Sequence, residues 1–181
     1  MREVLRLFTQ LALLRRGPQD MPASPLLLAL AALIYMGLNA LLVMLLPLGR
    51  PGHAPELAAT WPLQLLLNAA FIYLWYAVLL RVAGYPERTL QTTTAVFGLL
   101  LVLTPLVALC GWLWSHFADD AVWGAPVTLL GLGVILWLIV ANSRIVRVAF
   151  EWSVSVSVAL VLLQIVAAEL LRRALFASTE G

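Results

Sequence analysis

The stretch that decides the fold is residues 26–46, LLLALAALIYMGLNALLVMLL, which holds no charge from Leu26 to Leu46 and has Asn39 within it. At ~1.5 Å per residue, a helix of this length covers the ~30 Å hydrocarbon core of a bilayer. The run is read as a transmembrane span. It ends at Pro47, Gly49, Pro51 and Gly52, and four further apolar blocks follow. Together they predict spans at about 26–46, 63–81, 95–114, 122–141 and 152–168. The second begins after Trp61-Pro62 and ends near Arg81 and Gly84. The third carries Thr104-Pro105 in its interior, where the missing backbone donor predicts a kink or local opening at Pro105.

Composition agrees with this reading. The chain of 181 residues is 63% hydrophobic and 11% charged, with mean hydropathy +0.99, whereas a soluble domain carries about 25% charge. A soluble enzyme, a nucleic-acid reader and a disulfide scaffold are excluded. The net charge is +2, and all eleven basic residues are arginine, too few for a nucleic-acid footprint. Cys110 lies alone within a span, so no disulfide or thiolate metal cluster can form. The expected architecture is an all-α polytopic bundle, with an amphipathic cytoplasmic segment over 1–20, a membrane domain over 21–172 and a short tail over 173–181.

The first segment separates Val4, Leu5, Leu7, Phe8, Leu11, Ala12 and Leu14 from Arg2, Glu3, Arg6, Thr9 and Gln10 at helical spacing. This predicts a retained helix lying on the inner leaflet, not a removable signal peptide. Gly17-Pro18, Pro22 and Pro25 break it before the first span.

Orientation follows from arginines in short loops. Arg2, Arg6, Arg15, Arg16, Arg81, Arg88, Arg144 and Arg147 share one side, against Arg50, Arg172 and Arg173 on the other. This places the N-terminus in the cytoplasm and the C-terminus outside; all-Arg, Leu/Ala-rich usage suits a bacterial genome, for which the outer side is the periplasm of an inner membrane. Trp61, Trp112, Trp114 and Trp123 fall at the outer boundary, where aromatic rings favour the headgroups. Arg172-Arg173 dissents, although Glu169 can pair with either.

Small or polar residues recur along one face of each later span: Thr94, Gly98 and Pro105 in the third; Gly124, Thr128, Gly131, Ile135 and Asn142 in the fourth; Ser153, Ser157 and Gln164 in the fifth. Such faces let helices approach closely and hydrogen-bond, so they are expected to point into the bundle. By helical rise, Asn39 lies ~10 Å inside the outer boundary and Asn68 and Gln164 ~8 Å. A lone amide in hydrocarbon costs several kcal/mol, so the three are expected to find one another, either as glue between helices or as a small polar substrate site. Arg147 and Glu151, four apart, are expected to pair at the inner boundary. With Arg81, Arg88 and Arg144 they make a cytoplasmic rim able to attract anionic lipid or an acidic partner loop.

His53-x-x-Glu56 and His116-x-x-Asp119-Asp120 face one compartment, but this spacing reads as two solvated loops, not a metal site. No Ser-His-Asp set shares a depth, no Gly-rich phosphate loop follows a strand, and no His-Glu-x-x-His helix occurs. Neither an enzyme nor a cofactor is expected.

The layout resembles the Yip-domain family, the Rab-interacting five-span proteins and their bacterial relatives. The resemblance rests on a short helix before the first span, on Gly84, Arg88, Gln91 and Pro105 around the third, and on Trp137 with Arg144 and Arg147 around the fourth. It implies a non-enzymatic membrane protein that scaffolds the bilayer or binds a protein partner or a second copy of itself. The residue-level alternative is a small transporter or channel subunit using Asn39, Asn68 and Gln164. Topology is directly testable: with paired reporters fused to the C-terminus, the one active only in the periplasm is expected to signal. A cytoplasmic signal would mean an even number of spans.

Overall fold

A computed structural model of the chain describes residues 2–45 and 60–176. The expectations for Arg50, His53 and Glu56 fall outside them. The described residues form six helices and no strand: α1 (Arg2–Ala12), α2 (Pro25–Leu45), α3 (Trp61–Val82), α4 (Thr89–Phe117), α5 (Gly124–Phe150) and α6 (Val154–Phe176). Helices α2 to α6 are each long and apolar enough to cross a membrane. The chain is an integral, multi-pass, all-α membrane protein.

Local chemistry sets the ends of these helices. Ser24 caps α2, its Oγ accepting from the Leu27 N–H at 3.3 Å. Helix α3 stops at Gly84, whose φ of 86° suits glycine and turns the chain into a 3₁₀ turn over Pro86–Arg88. Before α5, the Asp120 carboxylate accepts from the N–H groups of Val122 and Trp123, both at 2.8 Å. Those bonds, Trp123 first, hold its carboxyl below the usual range.

Three spans extend further than hydropathy indicates, among them the fifth, which was expected to end near 168 and runs to Phe176. The third was expected to start at Ala95, yet α4 takes in Thr89–Thr94 as helix. The threonines do not face water: Thr92, Thr93, Thr94, Ala95, Val96, Phe97, Gly98 and Leu99 are all buried, most of them completely. Eight successive residues exceed two turns at 3.6 residues per turn, so this part of α4 is covered on every face. The fourth span likewise runs past Asn142 to Phe150. Helix α4 continues through Pro105, which lies on its exposed side.

Helices α1, α2, α3 and α5 surround α4, and α6 packs on α5 and α3. The apolar face of α1 meets protein where sequence had placed lipid. Phe8, Leu11 and Ala12 are buried at 4%, 2% and 3% exposure, and the Phe8 ring occupies the space a Cβ would take at Gly98. The Trp137 Nε1 donates to the Ala12 carbonyl at 3.1 Å, and Arg144 donates to the Leu14 carbonyl. The N-terminal helix is thereby fastened to α5 as well as α4.

Packing loosens toward the opposite end. Gly131 was expected to face the bundle, but a Cβ there, or at Gly37 or Gly133, would meet nothing within 4 Å. Exposed apolar side chains such as Leu30, Leu74, Leu106, Leu129 and Leu163 form the surface offered to lipid. The Phe8–Gly98 contact gives a stability test. Gly98→Val should cost about 1–3 kcal/mol by overpacking, and Phe8→Ala about 3–5 kcal/mol. Combined, they should cost less than their sum, because removing the ring relieves the clash. Unfolding in detergent checks this, and strict additivity would show that the two residues do not touch.

Candidate functional site

The three amides predicted to share a layer line one intramembrane cavity of about 560 Å³, together with Gln64, Asn142 and Tyr35. They do not bond to one another. Asn39 Nδ2 donates to the Tyr35 carbonyl one turn back at 2.8 Å, and Asn68 Nδ2 donates to the Tyr35 hydroxyl at 3.2 Å. The Tyr76 hydroxyl lies 2.6 Å from Gln164 Oε1 and 3.2 Å from Asn142 Oδ1. Amides on neighbouring helices are too short to meet across the cavity, whereas a tyrosine reaches from one wall to the next. Tyrosine therefore supplies the second partner that hydrocarbon cannot.

The cavity is closed at its deep end. Tyr76 is fully buried, and Val96, Leu99 and Val161 nearby are at most 1% exposed. Toward the far ends of α3 and α6 its lining includes Trp61, Gln64, Glu169 and Arg172. Glu169 pairs with Arg172 at 3.0 Å and with Arg173 at 2.6 Å, so it answers both arginines of the dissenting pair. Below that level every lining side chain is uncharged.

The second cluster lies at the α1 end, where the pairing differs from expectation. Glu151 bonds to Arg88, Nη2 to Oε1 at 2.7 Å, and not to Arg147. The cause is backbone geometry: Glu151 ends α5 with φ 58° and ψ 28°, a left-handed cap that takes it out of the helical register with Arg147. Arg88 also donates through Nη1 to the Ala149 carbonyl at 3.1 Å, and its guanidinium sits 4.5 Å from the centre of the Tyr85 ring. One side chain thus ties the start of α4 to the end of α5.

Arg144 is engaged by the chain after α1, as described above. Arg81 and Arg147 are exposed and make no ion pair among the described residues. Arg144, Arg147, Val148, Glu151 and Trp152 line an open recess of about 610 Å³. Sequence reasoning missed three elements of these sites. Tyr35 and Tyr76 read as ordinary aromatics within apolar runs, and Trp137 gave no sign of reaching α1. Their signal lies only in Tyr35 preceding Asn39 by one turn.

At the far end, the His116 Nδ1 lies 2.9 Å from the Trp112 carbonyl and 3.1 Å from Ser115 Oγ, while Asp120 is taken up by its turn. Among the described residues no group of three or more His, Cys, Asp or Glu side chains is placed to hold a metal ion.

No family model matches the chain, and no match is found among curated proteins or solved structures. The two arginines therefore have to be separated by experiment. Arg88→Lys keeps charge but loses the fork that serves Glu151 and Ala149 together, and should cost about 1 kcal/mol at this partly exposed site. Arg147→Lys should leave stability unchanged. Detergent unfolding of the two single variants decides, and equal effects would remove the distinction.

Proposed function

We propose that this protein is a non-enzymatic, Yip-like component of the bacterial cytoplasmic membrane, with its α1 end in the cytoplasm, and that it scaffolds the membrane or binds a partner through that end. One observation carries the reading: the α1 end is built as a braced platform with unused cationic groups on it. Arg88 joins α4 to α5, Trp137 and Arg144 hold α1 in place, and Arg147 beside Trp152 is left facing an open recess.

The chemistry of that recess suits an acidic partner. An arginine without an internal partner keeps its donors for carboxylate or phosphate, and an adjacent indole adds apolar contact. The inward orientation is supported by the excess of arginine at this end. The Yip-like reading rests on the sequence resemblance at Gly84, Arg88, Gln91 and Pro105.

A small transporter is the second reading, favoured by the amide-lined cavity. In the described conformation the deep end of that cavity is sealed, so transport would require α3 or α6 to move away from α4 and α5.

Crosslinking in vivo followed by mass spectrometry tests the platform. A reproducible partner or a specific self-contact is expected for the unaltered chain, and Arg147→Glu with Trp152→Ala should remove it without loss of folded protein. Solute flux in reconstituted vesicles, with no partner recovered, would overturn the scaffold reading in favour of the transporter.

A further inference from the structure

The cavity described above contains more hydrogen-bonding capacity than the protein uses. The Tyr76 hydroxyl, with one hydrogen, meets the carbonyl oxygens of both Gln164 and Asn142. One hydrogen cannot serve two carbonyl oxygens: Gln164, at 2.6 Å, takes it, and the Gln164 amino group and part of the Asn142 amide have no partner among the described residues. Gln164 is only 8% exposed, so its unused donors point into the cavity and not to a surface. The Tyr35 hydroxyl accepts from Asn68, and its own hydrogen has no acceptor among the described residues although Tyr35 is 6% exposed. Unused donors thus occur at two levels of one half-open cavity.

Such donors have a physical cost in hydrocarbon, where no water replaces the missing acceptor. A ligand presenting acceptor oxygens removes that cost. It must also be neutral, because no charged side chain lies deeper than Glu169 and a bare charge there would be strongly disfavoured. The remaining walls, including Phe71, Ile72, Leu138 and Ile139, are apolar and suit a ring and a hydrocarbon chain. A volume of about 560 Å³ falls within the usual range for a drug-sized ligand.

We propose that this cavity is a binding site for a membrane quinone, a neutral ring with carbonyl oxygens on opposite edges and an apolar tail. Its carbonyls accept from the amino groups of Gln164 and Asn142 at the deep end and from the Tyr35 hydroxyl nearer the mouth. Asn68, which bonds to the Tyr35 hydroxyl, and Tyr76 are eight residues, about 12 Å of rise, apart along α3. A water-borne sugar would carry hydroxyls to every apolar wall and leave them unpaired. A phospholipid would set methyl groups against the donors. The site is independent of the platform at the α1 end, and neither requires the other.

The test uses the full chain, purified in detergent and in nanodiscs, titrated with a short-chain benzoquinone. Saturable quenching of tryptophan fluorescence, with Trp61 in the cavity wall, and a rise in melting temperature are expected. Asn142→Leu with Gln164→Leu should weaken binding by about tenfold or more, since two neutral hydrogen bonds are lost. Leu138→Trp, which fills the cavity and leaves the amides alone, should abolish binding, and it decides the matter if the double variant does not fold. The proposal is overturned by non-saturable quenching in the wild type, or by affinity that neither variant changes. Saturation by glucose instead would point to a water-borne ligand, and displacement of the quinone by phosphatidylglycerol irrespective of the amides would point to a lipid; either result also rejects it.

Discussion

Two turns of α4 have no free face, and the rest of the structure is arranged around that constraint. Thr92–Leu99 can be enclosed only if its neighbours come close on all sides, which the small side chains of the threonines, Ala95 and Gly98 permit. Even so, the neighbouring spans do not close the ring by themselves. Helix α1 completes it, with Phe8 placed against Gly98 and Leu11 and Ala12 buried beside it. The polar bonds from Trp137 and Arg144 to the end of α1 keep this collar from sliding.

The position of the collar has a thermodynamic reason. Helix α4 has 29 residues, about 43 Å at 1.5 Å per residue, and so exceeds a hydrocarbon core of ~30 Å. Its large exposed apolar side chains begin only at Leu106, which assigns the excess to the end that α1 covers. Outside hydrocarbon the hydrophobic effect operates, and burying Phe8 or Leu11 stabilises by roughly 1.5–3 kcal/mol each. Inside hydrocarbon it does not, since lipid tails are as apolar as leucine. The α1 end is therefore closed tightly. At the other end, open space beside Gly37, Gly131 and Gly133 and a cavity between spans are tolerated, with tyrosine-to-amide bonds joining the walls.

This division also explains what was legible in the sequence. The five spans were readable because lipid demands continuous apolar runs, and Leu26 to Leu46 admits no other interpretation. Their ends on the α1 side were not, because polarity was taken to mean exposure. Thr89–Thr94 and Asn142–Ser143 are polar, yet they continue helices that protein covers. Helical rise puts Asn39, Asn68 and Gln164 at similar depths, and all three line one cavity. Their partners depend on how the spans rotate about their axes, which weak periodicity in an all-apolar helix does not record. The same ignorance of rotation placed Gly131 toward the bundle.

Glu151 shows how a single backbone conformation can reassign charges. Left in helical register it would face Arg147 one turn back, and Arg88 would have no anionic partner on α5. Its left-handed conformation, unusual for a residue with a Cβ, turns the carboxylate toward the 3₁₀ turn that carries Arg88. The exchange has two consequences: the first turn of α4 is tied to the last turn of α5, and Arg147 is released. Arginines that look equivalent as an inner-face ring thus divide by their surroundings. Arg88 and Arg144 satisfy backbone carbonyls and hold the fold, whereas Arg81 and Arg147 are exposed and make no ion pair among the described residues.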